Sequence, residues 1–263
     1  MMEKAIELVG LKKSFGEIEA VKGIDLVVPK GGIYGLIGPN GAGKSTTIKM
    51  ICGVLEPSGG KGSVLGLEMG AESEKIKEKI GYMSQKFSLY EDLTVSENIE
   101  FYSEIYTIDP DKKKERTGDV LRISGLEDRK DQFVGNLSGG WKQKLALSCC
   151  LIHKPEILIL DEPTAGVDPV SRRLFWKMIY EIVSEGITVL ATTHYMDEAE
   201  GFDSAAFIMD GRIIAADTTE ALMKKNNVDN LEDVFIKYAI NGDEETFEKE
   251  YKMMKRRISD EMA

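Results

Sequence analysis

The sequence predicts an α/β fold: a mixed, largely parallel sheet flanked by helices, carrying an antiparallel β subdomain and an inserted helical subdomain. Three observations point there. Short apolar runs (Ile33-Tyr34-Gly35-Leu36-Ile37, Ile157-Leu158-Ile159-Leu160 and Ile187 to Thr193) lack alternation, as parallel strands buried on both faces do, and helix-like stretches lie between them. Residues 5–11 and 24–28 instead alternate apolar and polar positions, as half-buried antiparallel strands do. From about residue 85 to Pro155 the spacing is helical and strand signals are absent.

The chain of 263 residues is long enough for a substantial core, and its 42% hydrophobic and 30% charged content is that of a globular protein. No apolar run approaches the ~20 residues that cross a bilayer, and Met1-Met2-Glu3-Lys4 is no signal-peptide core, so a cytoplasmic protein is expected. A net charge of −11 argues against a general nucleic-acid binder, which needs a basic footprint, and no nucleic-acid partner is expected. Three cysteines, Cys52, Cys149 and Cys150, form neither a disulfide framework nor a metal-ligand spacing and read as small buried hydrophobes.

In chain order, Phe15 falls on a polar turn between the two alternating strands, where its ring suits either an adenine face or a packed hairpin. After the strand at 33–37 comes Gly38-Pro39-Asn40-Gly41-Ala42-Gly43-Lys44-Ser45-Thr46, then a stretch to Cys52 free of Gly and Pro. Strand, glycine turn and helix N-terminus in that order make a phosphate-binding P-loop. Its glycines let backbone N–H groups converge and let phosphate come close, and the helix adds roughly half a positive charge. Lys44 is expected on the β- and γ-phosphates and the Ser45 hydroxyl on Mg²⁺. Beyond it, Lys61 to Leu67 reads as a strand, Glu72 to Lys79 as a helix, and Gly81 to Gln85 as a strand ending at a polar residue. Val95 to Thr107 and Asp111 to Ser124 read as helices.

Leu137-Ser138-Gly139-Gly140-Trp141 precedes a helix over Leu145 to Ile152, with Ser138 as its N-cap candidate. Two glycines at a helix start suit either a tight turn or an anion. The strand 157–160 ends in Asp161-Glu162-Pro163. Asp161 can face the Mg²⁺ held by Ser45, and Glu162 can act as general base on a water in line with the γ-phosphate. A turn through Asp168-Pro169, a helix over Val170 to Ser184 and a strand over Gly186 to Thr193 follow. That strand ends at His194, which is placed to contact the γ-phosphate, whereas His153 reads as a capping or surface residue. Residues 203–209 and 211–216 form a hairpin about Asp210-Gly211; the tail from Thr218 is helical, its Lys249 to Arg257 stretch a solvated face.

Taken together, the P-loop, Gln85 after a strand, Leu-Ser-Gly-Gly, strand-Asp-Glu and strand-His closely resemble the ATP-binding cassette (ABC) family, specifically the nucleotide-binding subunit of an ABC transporter, over roughly residues 3–220. The resemblance implies an ATPase with ATP and Mg²⁺ as ligands. It implies a catalytic core over 1–84 and 156–217 (RecA-like plus antiparallel β subdomain), a helical signature subdomain over 85–155 and a C-terminal extension over 218–263. Phe15 then looks like the adenine-stacking aromatic, Gln85 like a glutamine that touches Mg²⁺ or the water and senses a transmembrane partner, and Asp168 like the D-loop aspartate. Ser138, Gly139 and Gly140 would cap the γ-phosphate of ATP held by a second copy, giving an isologous ATP-sandwich dimer. Partners implied are a transmembrane permease and that second copy, at the cytoplasmic face of a membrane. Trp141 departs from the usual Gln of the signature. Thr193 to Ala199 and Leu231 to Phe235 look like those of export-type subunits of the multidrug and polysaccharide kind. A soluble ABC protein acting on ribosomes or DNA is the alternative; one cassette, no heptad run and the acidic charge weigh against it.

Overall fold

The computed structural model of the chain describes residues 3–86 and 88–239. Strands β1 (Lys4–Phe15) and β2 (Ile18–Pro29) form the antiparallel hairpin, with Leu8 opposite Leu26 and Phe15 opposite Ile18. The other edge of β1 takes β4 (Gly59–Val64), which pairs with β5 (Leu67–Glu68), so the sheet runs β2-β1-β4-β5. The single strand expected over Lys61 to Leu67 is therefore two. Leu65 and Gly66 sit at φ 52° and 79°, a left-handed pair that no strand accommodates, and the chain turns back there.

The second sheet holds β3 (Ile33–Ile37), β6 (Ile80–Met83), β7 (Ile157–Asp161), β8 (Thr188–Thr193), β9 (Ser204–Met209) and β10 (Arg212–Thr218) in the order β10-β9-β3-β8-β7-β6. All its pairs are parallel except β9–β10, a hairpin whose Asp210 and Gly211 both take positive φ, as a two-residue loop of this composition should. Both faces are covered. Ile33, Ile37, Leu158 and Leu160 face one apolar core, shared with the helices that follow, while Tyr34, Leu36, Ile157 and Ile159 face another, shared with β1, β2 and the P-loop helix. Strand side chains alternate between faces, so burial on both explains the unbroken apolar runs. The strands are also level: Ile37 lies opposite Thr193, Asp161 opposite Thr192, and Met83 opposite Leu160. Whatever follows β3, β8, β7 and β6 must emerge at one edge, where parallel α/β sheets place ligands.

The helices are α1 (Lys44–Ile51), α2 (Ser73–Lys79), α3 (Val95–Ile105), α4 (Pro110–Ser124), α5 (Gly139–Leu151), α6 (Pro169–Ser184), α7 (Met196–Ala199), α8 (Thr219–Asn226) and α9 (Leu231–Ala239). Between β6 and β7 the described chain forms α3, α4 and α5, with one isolated bridge, Thr94 to Phe133, in place of a strand. Thr94 and Glu97 make a capping box for α3, and Asp109 with Pro110 starts α4. Helix α5 starts at Gly139, six residues before the expected Leu145, because Trp141 and Lys142 N–H both reach the Ser138 carbonyl and draw the glycines into the first turn. His153 is neither a cap nor a surface residue. Its ring stacks on Tyr106 with centroids 3.7 Å apart, and since the Ile80 carbonyl can only accept, Nε2–H donates to it at 3.0 Å. The three cysteines are buried, and burial pushes the Cys150 thiol up to about 12. Among the described residues no helix is long and apolar enough to cross a membrane. The Lys249 to Arg257 stretch lies outside the described residues.

Candidate active site

Residues 38–43 leave β3 and wrap to Gly43, the N-cap of α1. A Cβ on Gly38 would stand 2.1 Å from the Ile208 carbonyl, and one on Gly43, at φ 106°, would stand 2.7 Å from the Ala20 carbonyl. These two glycines are thus dictated by close backbone packing inside the protein as much as by any ligand, which reading the motif does not reveal. The first turn of α1 carries no acidic residue of its own, and its N-terminal partial charge attracts anions. Asn40, Gly41, Gly43, Lys44, Ser45 and Thr46 line a cleft of about 320 Å³ with Ala20, Gln85 and Glu162.

Two neighbouring carboxylates at the end of β7 are sent in different directions. Asp161 Oδ1 accepts from Ser45 Oγ at 3.0 Å and from Thr192 Oγ1 at 2.7 Å. Glu162 sits at φ 48°, a left-handed conformation that costs a non-glycine residue about 1–2 kcal/mol, and its N–H donates to the same Thr192 hydroxyl at 2.8 Å. The turn carries its side chain to Lys44. Lys44 Nζ is 3.1 Å from Glu162 Oε1 and donates to the Gly38 and Pro39 carbonyls at 2.7 and 3.1 Å. Glu162 Oε2 accepts from Gln85 Nε2 at 3.0 Å, and His194 Nδ1 approaches it to 3.3 Å without a hydrogen bond. Lys44 and Glu162 are 4% and 7% exposed, so the pair is screened from water and each charge depends on the other.

This assembly joins Lys44, Ser45, Gln85, Asp161, Glu162 and His194 from four different strand ends. Its chemistry is that of an anion cradle with a carboxylate beside it. The Ser45 hydroxyl and Asp161 carboxylate, 3.0 Å apart, are an all-oxygen pair of the kind that suits a hard cation such as Mg²⁺, which completes its shell with phosphate oxygens and water. Thr192 is the residue that sequence reasoning missed. Two consecutive threonines ending an apolar strand were its only signal.

Other expected residues stand apart from this cleft. Phe15 ends β1 half exposed, with Lys13 Nζ 5.2 Å from its ring centroid, and is not packed in the hairpin. Ser138 caps α5 only through its backbone, and its exposed side chain makes no capping bond; Gly139 and Gly140 follow it in the first turn. Gly140 is held close to α6, where an added Cβ would meet Ser171 Oγ at 2.8 Å. Asp168 is exposed and caps α6, accepting from Val170 and Ser171 N–H at 3.0 Å each; hydrogen bonding from Ser171, its side chain first and its N–H second, holds the carboxyl below the usual range. Two cations lie over the Trp141 ring, Arg129 at 4.4 Å and Lys144 at 4.5 Å from its centroid.

Comparison with known proteins gives a consistent answer. A family model described as ABC transporter matches residues 21–165. The chain is 42% identical over 248 residues to a probable multidrug ABC transporter ATP-binding protein, YbhF, of Escherichia coli K12; the match covers 92% of this chain and 43% of that protein, so the chain spans less than half its length. It is 39% identical over 238 residues to the linearmycin resistance ATP-binding protein LnrL of Bacillus subtilis 168, covering 90% of this chain and 75% of that one. Among solved structures, a dimeric ATP-binding cassette in a post-hydrolysis state with ADP and Pi matches with a TM-score of 0.73 at 25% identity, over 81% of this chain and 98% of that one.

Proposed function

This chain belongs to the ABC transporter family, and from that premise we propose that it is the ATP-binding and ATP-hydrolysing subunit that drives export through a separate transmembrane permease. The observation that carries this is the convergence on Glu162 of Lys44, Gln85 and His194, beside a P-loop helix start and the Ser45–Asp161 pair. The names of the multidrug and drug-resistance relatives support the export reading.

Each residue has a role that follows from its chemistry. The backbone N–H groups of Gly38 to Thr46 (Gly38, Asn40, Gly41, Ala42, Gly43, Lys44, Ser45, Thr46) cradle the phosphates, with Pro39 shaping the turn, and Lys44 leaves Glu162 to neutralise phosphate charge. Ser45 and Asp161, with Gln85 beside them, would hold Mg²⁺, whose charge would shield the phosphate oxygens. Freed of Lys44, the Glu162 carboxylate takes a proton from the attacking water, and His194 holds that water against the γ-phosphate. Phe15, exposed at its hairpin, stacks on adenine. The free hydroxyl of Ser138, with Gly139 and Gly140, caps the triphosphate on a second copy, and Asp168 lies at the same isologous contact. ATP then joins two copies at the cytoplasmic face of the membrane, and cleavage releases them, so that a chemical step becomes a motion the permease reads.

The test is phosphate release from Mg·ATP by the purified chain, with Lys44→Ala as control, alongside identification of the integral membrane protein that co-purifies with it. Turnover lost in Lys44→Ala supports the reading. Equal turnover and ATP affinity in both proteins contradict it.

A further inference from the structure

Besides Asp161 and Glu162 the described residues bury a third carboxylate, which the chemistry above does not use. Glu198, in the short helix α7, has a side chain only 3% exposed. Its Oε1 accepts from Thr164 Oγ1 at 2.6 Å and its Oε2 from Thr193 Oγ1 at 2.8 Å. Thr164 stands two residues after Glu162 and Thr193 immediately before His194, and both threonines are buried. The Thr193 hydroxyl also accepts the Tyr195 N–H at 2.9 Å, which fixes the chain on the far side of His194. Arg172 Nε, 3.7 Å from Glu198 Oε1, is the nearest opposite charge, and the same guanidinium bonds Asp197 and lies 5.1 Å from the Tyr195 ring.

A carboxylate is a costly group to bury, and this one is held by two hydroxyls with Arg172 in ion-pair range at 3.7 Å, so hydrophobic burial does not explain it. What it does is tie two loops together. The loop after β7 carries Glu162 and the loop after β8 carries His194; the two strands pair as far as Asp161 opposite Thr192, whose hydroxyl serves Asp161 and the Glu162 N–H, and beyond that level the side chain of Glu198 joins them. We propose that Glu198 is a positioning residue that clamps the Glu162 and His194 loops into one rigid unit, setting the distance between the base and the histidine. Charge matters to this role. Only a carboxylate accepts from both hydroxyls at once; a glutamine amide would offer one acceptor and confront the other threonine with a donor.

This rests on the proposed reading of Glu162 and His194 as the groups that act on the γ-phosphate and its water. Glu198 touches neither the P-loop nor the Ser45–Asp161 pair, so its loss should spare ATP binding and fall on turnover. Glu198→Gln is expected to lower kcat by ~10-fold and Glu198→Ala by ~100-fold, the scale of a misplacement near 1 Å, with the ATP dissociation constant unchanged within ~2-fold. Thr193→Val and Thr164→Val, which remove one clamp bond each and leave the carboxylate in place, should each give part of the loss and serve if Glu198→Ala does not fold. The decisive readout is non-additivity: in a His194→Ala background the further cost of Glu198→Gln should shrink to less than ~2-fold, since there is no histidine left to position. A role in stability alone would lower the melting temperature and leave kcat per folded molecule unchanged in every background, which overturns the proposal. So does the same fold-loss in both backgrounds, or a Glu198→Gln protein that loses ATP affinity with kcat intact. A wild-type chain that turns over no ATP overturns the reading of the site as well, and is thereby distinguished from failure of the clamp alone.

Discussion

Replacing Glu162 by Gln keeps the shape of the side chain and removes its charge, and the structure sets what should follow. Lys44 loses a carboxylate at 3.1 Å but keeps the Gly38 and Pro39 carbonyls at 2.7 and 3.1 Å, and a glutamine Oε1 can accept in place of the carboxylate oxygen. An uncompensated partner of a buried ion pair costs ~3–5 kcal/mol, but with those acceptors left the penalty falls toward the ~1–3 kcal/mol of a weakened charged hydrogen bond. At about 2–4 °C per kcal/mol for a chain of this size, melting should drop by several degrees and the fold should survive. ATP affinity should be equal or tighter, because Lys44 no longer has to be drawn from a carboxylate before it meets phosphate. Turnover is a different matter. A positioned general base contributes ~10²–10⁴-fold, or about 3–5 kcal/mol of barrier, so phosphate release should fall by at least two orders of magnitude. Single-turnover phosphate release together with calorimetric ATP titration separates the two effects. A Glu162→Gln protein that releases phosphate within ~3-fold of wild type would refute the role of Glu162 as base, and one that no longer binds ATP would refute the competition between carboxylate and phosphate for Lys44.

Two further predictions concern packing. Gly38→Ala would set a methyl 2.1 Å from the Ile208 carbonyl, so β3 and β9 must part; the expected cost is ~1–3 kcal/mol in denaturant unfolding plus a marked loss of ATP affinity, and an unchanged midpoint and affinity would contradict the packing described. His153 supplies a pH dependence. Burial lowers its pKa from 6.5 to about 4, so below pH 6.5 the unfolded chain takes up a proton that the folded chain refuses until about pH 4. Stability contributed above 6.5 is therefore lost as pH falls through that window, on the order of 3 kcal/mol at its acid end. His153→Phe, which keeps a ring against Tyr106, should flatten the loss, and an unaltered acid profile would show that other groups dominate it.

Much of the fold was legible in the sequence because local signals and long-range packing agree. The runs at 33–37 and 157–161 had to be doubly buried strands, and the Gly38 to Thr46 turn had to join a strand to a helix. What was not legible is pairing. Nothing local says that β8 lies between β3 and β7, and that order brings Thr192 to Asp161 and His194 to the same Glu162 that Lys44 meets. A left-handed Leu carries no propensity signal, so nothing local marks the break at Leu65-Gly66, and Gly139 and Gly140 are poor helix formers that enter α5 because Trp141 and Lys142 bond back over them to the Ser138 carbonyl. The burial of His153 depends on Tyr106, far away in sequence, and nothing local separates Glu198 from its acidic neighbours Asp197 and Glu200, since its two threonine partners come from other elements of the fold.

If ATP held on the P-loop of one copy is capped by Ser138 and Gly140 of another, nucleotide and these two residues together decide whether the chain dimerises. Sedimentation velocity of Glu162→Gln with saturating Mg·ATP tests it most directly. A dimer should form with ATP, dissociate with ADP, and fail to form when Ser138→Arg is added; a protein that stays monomeric with ATP bound rules out the shared site.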